Sequence, residues 1–183
     1  MWSRGIGYSG FMQDGGRMDP RYRELPAAVT GNLKRYKKRL AKLKKRPPRD
    51  LDLVFQEAHV RAFEEIDCLR CANCCVTTGP RVLERDIDRL AHALRMRASD
   101  FTRRYLRKDE DADWVFKSMP CPFLGNDNYC GVYEDRPKAC REYPHTDQRN
   151  IHQLFSKTLK NAAICPIVAR VLQLVDTHYG GNT

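Results

Sequence analysis

The sequence predicts a mostly α-helical protein: a small helical domain with an irregular cysteine-rich loop region, preceded by a disordered leader and a basic helix. Three features point there. Apolar residues recur at spacings of three and four in several segments, which is the helical repeat. Residues 119–145, MPCPFLGNDNYCGVYEDRPKACREYPH, hold four prolines and two glycines and exclude a long helix. Eight cysteines in 183 residues, four of them in CLRCANCC at residues 68–75, exceed chance and need a chemical reason.

The chain opens with residues rich in Gly, Arg and Asp and without periodicity, so residues 1–29 are expected to be a disordered leader. Met18 is a second candidate start, which would make the residues before it an upstream extension. Residues 30–46, TGNLKRYKKRLAKLKKR, place Leu33, Tyr36, Leu40 and Leu43 on one stripe of a helix whose other faces are Lys or Arg. Thr30 or Asn32 can cap its start, and Pro47-Pro48 ends it. The stripe is expected to dock on the body of the protein. The sharper alternative makes residues 30–49 an arm for an acidic partner, nucleic acid or an anionic surface. Residues 1–49 carry 14 Lys/Arg against 3 Asp/Glu, and residues 50–183 carry 19 against 20, so the net charge of +10 belongs to the amino-terminal part.

Residues 50–178 form the expected cysteine-bearing domain, of a size that buries a single hydrophobic core. Asp50 can cap a helix from Leu51 to Glu65, with Leu51, Val54, Phe55, Ala58 and Ala62 on one side. Thr77, Thr78, Gly79 and Pro80 break the chain. Leu83, Ile87, Leu90 and Leu94 mark a third helix, opened by the acidic Glu84 and Asp86. Ser99 caps a fourth that runs through Tyr105 and Leu106. After an acidic loop, Trp114-Val115-Phe116 is the best strand candidate. Asn150 can start a helix to Lys160, and Pro166 opens a last one to Thr177.

The amino terminus lacks the apolar run of a signal peptide, and no stretch approaches the 18 or so apolar residues of a membrane span. The cytoplasm is therefore the expected location. Thiols stay reduced there, and clustered cysteines bind metal or do redox chemistry. Cys68, Cys71 and Cys74 follow a two-residue rhythm that lets thiolates converge on one centre. It is also the opening spacing of [4Fe–4S] sites, whose fourth ligand often precedes proline, as Cys121 and Cys165 do here. Structural zinc uses paired C-x₂₋₄-C knuckles, but Cys121, Cys130 and Cys140 are widely spaced. Zinc and an iron–sulfur cluster (4Fe-4S) both stand. Adjacent side chains point about 100° apart on a helix and opposite on a strand, so Cys75 is expected to turn toward a second site or to be a free or catalytic thiol. Eight thiolates then divide into two metal centres of four.

Arg70, Arg81, Arg136, Lys138 and Arg141 flank the cysteines and could offset thiolate charge. His145 is a further candidate ligand; His59 and His92 sit inside helices as surface or packing residues. Tyr133, Arg136, Arg141 and Tyr143 either line a pocket beside the metal or pack around the loops. No nucleotide-binding, hydrolase or metalloprotease motif is present.

Cys68-x-x-Cys71-x-x-Cys74-Cys75, then Cys121-Pro122-Phe123-Leu124, then Cys130-x-Val132-Tyr133-x-x-Arg136-Pro137-x-x-Cys140-Arg141-x-Tyr143-Pro144, resembles the YkgJ-type CxxCxxCC family of zinc- or iron-chelating proteins. The same cysteine module occurs in flagellin lysine N-methylases. The resemblance covers about residues 64–170 and leaves the basic leader outside. Asn73 departs from the family, where glycine is common at its place, which puts the local turn in question. The resemblance implies metal chelation by Cys68, Cys71, Cys74, Cys75, Cys121, Cys130, Cys140 and Cys165. Three functions follow as expectations: a metal-binding protein, a metal-dependent modifying enzyme (methyl transfer by analogy with the methylase), or a nucleic-acid or ribosome-associated adaptor that uses the basic helix.

Overall fold

A computed structural model describes residues 20–180. The residues before Pro20, with the question of Met1 or Met18, lie outside the described residues. Helix α1, Pro20–Gly31, replaces the second part of the expected leader. Tyr22 and Val29 are buried on it, and Leu25 packs against the same core. Pro26 inside the helix hides this element from a sequence reading, because proline normally breaks a helical interior. Helix α2, Leu33–Lys45, follows at once. Neither expected cap forms: the Thr30 hydroxyl donates to Pro26 O at 2.8 Å and the Asn32 amide to Ala28 O at 3.0 Å, both turned back into α1. The apolar stripe docks as expected, with Tyr36, Leu40 and Leu43 buried.

Helix α3 spans Leu51–Glu65 and buries the five residues its spacing marked. Asp50 makes no capping bond; its carboxylate accepts the Tyr179 hydroxyl at 3.0 Å. Asp52, in the first turn, instead accepts the N–H groups of Asn150 (2.8 Å) and Ile151 (3.0 Å) and so anchors a 3-10 turn at Ile151–Leu154. Short helices α4 (Cys68–Cys71) and α5 (Asn73–Thr77) come next, followed by α6 (Glu84–Ala93) and α7 (Ala98–Tyr105). Asp86 closes the start of α6 by accepting the Leu83 N–H at 3.0 Å. Helix α7 starts at Ala98 without a side-chain cap, so Ser99 does not play that part.

Trp114–Phe116 is a strand, β2, and it pairs antiparallel with β1, Leu106–Lys108, in the register Leu106↔Phe116. Sequence spacing carried α7 through Leu106 and gave no sign of β1. Only Leu106 of its residues is buried, so it shows no alternation of its own. The irregular region holds one short helix, α8 (Lys138–Glu142). Helices α9 (Phe155–Ala162) and α10 (Pro166–Gly180) complete the fold. Asn150, in a left-handed conformation, precedes the 3-10 turn and does not cap it.

The expected single core is two. The first joins α1, α2, α3, α9 and α10 around Phe55, Val168 and Leu172. The second joins α6, α7, β1 and β2 around Leu90, Phe101 and Phe116, with Phe123 stacked on Phe101. The break at Thr77–Pro80 takes the chain out of the first core, and it returns at Tyr143, Thr146 and Ile151. No helix among the described residues is long and apolar enough to cross a membrane. Val29 is 1 % exposed on α1, so Val29→Ala should cost about 2 kcal/mol, measured by urea denaturation. An unpacked leader residue would give a change within about 0.5 kcal/mol.

Candidate metal centre

The cysteines lie where the two cores meet. Asp67 starts α4 by accepting the Leu69 N–H at 2.9 Å, which places Cys68 and Cys71 on consecutive turns. Ala72 then adopts a left-handed conformation (φ 46°) and redirects the chain into α5, which carries Cys74 and Cys75. The turn questioned at Asn73 is therefore made by its neighbour, at a residue type that seldom takes that conformation. Asn73 itself donates from Nδ2 to Ile164 O at 2.7 Å and fastens α5 to the residue before Cys165. Cys165 stands between α9 and α10, its N–H donating to Asn161 O at 2.7 Å.

On the other side, Cys121 N–H donates to Cys75 O at 2.8 Å and ties the irregular loop to α5. Leu124 and Cys130 form a bridge, and Gly131 N–H donates to Phe123 O at 2.8 Å, closing a hairpin with Cys121 and Cys130 at its base. Gly125 sits in its bend, where a Cβ would come within 2.5 Å of Asp127 Oδ1 and 3.2 Å of Tyr129 O. Cys140 rides on α8, whose first N–H, from Lys138, donates to the buried Asp86 of α6 at 3.2 Å.

Cys71 and Cys165 are buried within the first core, and Cys121 and Cys130 pack against the second. Cys74, Cys75 and Cys140 are half-buried, and Cys68 keeps an exposed face. Mutual influence follows the same division. The protein around Cys68 raises its pKa despite that exposed face, and Cys165 and Cys71 add to the rise. Burial, then Cys75, Cys121 and Cys130, pushes Cys140 up to about 12. Burial also takes Cys121 to about 11, with Cys75 and Cys130 contributing, and Cys165 to about 11, with Cys71 contributing. Cys75 neighbours members of both groups. Its own pKa is raised most by the thiol of Cys74, with burial second. Adjacent on α5, Cys74 and Cys75 thus influence one another while Cys75 also reaches the second group.

Most of the flanking basic residues neutralise carboxylates rather than thiols. Arg70 lies 3.9 Å from Asp67, Arg81 3.0 Å from Asp113, and Lys138 3.3 Å from Glu142. Arg136 is the exception, a cation that lowers both Cys130 and Cys140 against their burial. Its guanidinium lies 3.8 Å from the centre of the Tyr133 ring, and Arg141 donates to Arg136 O at 3.0 Å. Tyr133 is 48 % exposed. Tyr143 is placed differently: its hydroxyl is buried beside the Cys165 thiol. Burial, then Cys165 and Cys74, raises its pKa.

His145 stands edge-on to Tyr143, and burial with Lys157 lowers its pKa. His59 meets the Thr146 hydroxyl at 2.8 Å and the Phe63 ring, a packing role, while His92 is exposed on α6. Among the described residues, no group of three or more His, Cys, Asp or Glu side chains is set to hold a metal ion as it stands. The donor set nonetheless suits one. Soft sulfur ligands select zinc or iron–sulfur clusters, and these thiols are crowded and short of cations, so a bound metal would relieve their raised pKa values.

No curated protein and no solved structure matches the chain. The CxxCxxCC family, described as "Putative zinc- or iron-chelating domain", matches residues 67–166. That span is more than half of the 183 residues and contains every cysteine. The chain belongs to the CxxCxxCC family.

Proposed function

We propose that the protein holds metal in two four-thiolate centres. Cys68, Cys71, Cys74 and Cys165 would form one; Cys75, Cys121, Cys130 and Cys140 would form the other. The observation that carries this reading is the division of the thiols, Cys71 and Cys165 in the first core and Cys121 and Cys130 against the second, with α5 tied to both sides by Asn73 and the Cys121 N–H. The CxxCxxC spacing and the Cys165-Pro166 pair favour a [4Fe–4S] cluster at the first centre; zinc is the other metal that such a donor set takes. A bound metal supplies positive charge that keeps the thiolates ionised. The chain's own residues do the rest. Asn73 and the Cys121 N–H hold α5 against both partners, and α8 presents Cys140. Such a protein would carry metal as a structural or metal-handling centre, and the cytoplasm is the compartment that keeps its thiols reduced.

Anaerobic purification, elemental analysis and an absorption spectrum test the reading. The expected result is stoichiometric iron with a broad band near 400 nm, or stoichiometric zinc in a colourless protein. Cys68→Ser/Cys165→Ser should remove one centre's metal, and Cys121→Ser/Cys140→Ser the other's. Protein that binds neither metal would end the proposal; loss of all metal from either pair would leave one shared centre instead of two.

A further inference from the structure

The outward face of α2 is a second site, independent of the cysteines. We infer that this face, extended by α9, binds the phosphate backbone of nucleic acid without regard to sequence.

The helix has two cationic flanks with different fates. Arg35 and Arg39 turn towards α10 and are consumed by the buried Asp176. Lys34, Lys37, Lys38, Lys42, Lys44 and Lys45 are exposed, and none has an ion-pair partner among the described residues. Lys34, Lys38, Lys42 and Lys45 share one face, rising about 6 Å per four residues along a helix about 20 Å long. Helix α9 packs beside α2 and carries the exposed Lys157 and Lys160. Neither helix contains an acidic residue.

The partner follows from what this face lacks. A membrane-surface helix needs an apolar side to sink into the lipid, and here Tyr36, Leu40 and Leu43 are buried in the first core. A folded protein partner is met by interface cores from which lysine is depleted, and the face offers no aromatic anchor. A regular polyanion suits it: duplex nucleic acid carries a charge about every 1.7 Å of its axis. Between the lysines the face offers only Ala41, so nothing on it reads base edges, and its contacts would position rather than specify.

The test is fluorescence anisotropy on the full metal-loaded chain. The probes are a labelled mixed-sequence DNA duplex and an RNA hairpin, with phosphatidylglycerol vesicles assayed by co-sedimentation. The Lys34→Gln/Lys38→Gln/Lys42→Gln/Lys45→Gln variant should bind both nucleic acids at least tenfold more weakly. The slope of log K against log salt should shrink by about 3–4, near one for each phosphate that is no longer neutralised. Arg85→Gln/Arg95→Gln/Arg104→Gln/Arg107→Gln makes the same charge change on the second core and should leave both quantities nearly unchanged. Equal losses in the two variants would reduce the effect to net charge and overturn the proposal, as would vesicle binding without nucleic-acid binding. Metal content is measured on each sample, so an outcome here is separate from the fate of the metal centres.

Discussion

Asp86→Ala is expected to lower the free energy of unfolding by about 3–5 kcal/mol, the usual cost of removing one partner from a buried ion pair. Asp86 has no exposed surface and accepts three bonds, from Leu83 N–H (3.0 Å), the Arg89 guanidinium (2.7 Å) and Lys138 N–H (3.2 Å). Arg89 in turn donates to Asp135 O at 3.2 Å and Arg136 O at 3.0 Å. The alanine variant therefore strands a half-buried guanidinium and two amides. It also loosens α8, which carries Cys140, so loss of metal from the second group should accompany the loss of stability. Burial alone would raise the pKa of Asp86; the three donors outweigh it and hold the pKa below the ordinary 3.8. A lowered folded-state pKa contributes stability above the unfolded value, and that contribution vanishes as pH falls through the folded one. The gap between wild type and Asp86→Asn in urea denaturation should accordingly be full near neutral pH and close in acid below about pH 4. A gap unchanged in acid would mean that shape, rather than charge, is what Asp86 contributes.

Asp176→Ala should cost about 3 kcal/mol on the same grounds, a drop in Tm of roughly 6–12 °C for a chain of this size. Asp176 is 3 % exposed on α10 and meets both Arg35 and Arg39 of α2, the latter at 3.1 Å. Arg39 also donates to Tyr179 O at 2.7 Å, so the pair fastens α2 to the end of α10. The Asp176→Ala/Arg39→Ala double variant isolates the pair: its coupling energy should exceed about 1 kcal/mol. Coupling near zero would mean that the stripe of Tyr36, Leu40 and Leu43 holds α2 by itself.

The burial of neither aspartate shows in the sequence, where Asp86 reads only as an acidic first-turn residue. A charged residue in an amphipathic helix looks solvated unless its partners are known, and Lys138 for Asp86 and Arg35 and Arg39 for Asp176 lie far along the chain. Spacing was enough for α3 and α6, because each buries residues that recur three and four apart, and Pro166 at the first position was enough for α10. It failed for α1, where Pro26 argues locally against a helix that the core stabilises, and for β1, which exists through its pairing with β2. The order and number of the cysteines were legible, as was the family. The directions of Cys74 and Cys75 were not, since they follow from the left-handed turn at Ala72, a backbone choice that alanine does not advertise.

The break after α5 and the return from Tyr143 onward have a topological meaning. The second core is an insertion between two parts of the first, and Cys75 and Cys140 stand at its neck, 65 positions apart. A ligand that grips both ends closes that loop in the unfolded chain as well as in the folded one. By the loop-entropy estimate used for cross-links, closure of such a loop stabilises by on the order of 4 kcal/mol. Holding one metal as proposed, the thiols at the neck would act as a drawstring, and the metal's largest effect would fall on a lobe whose core residues it need not touch.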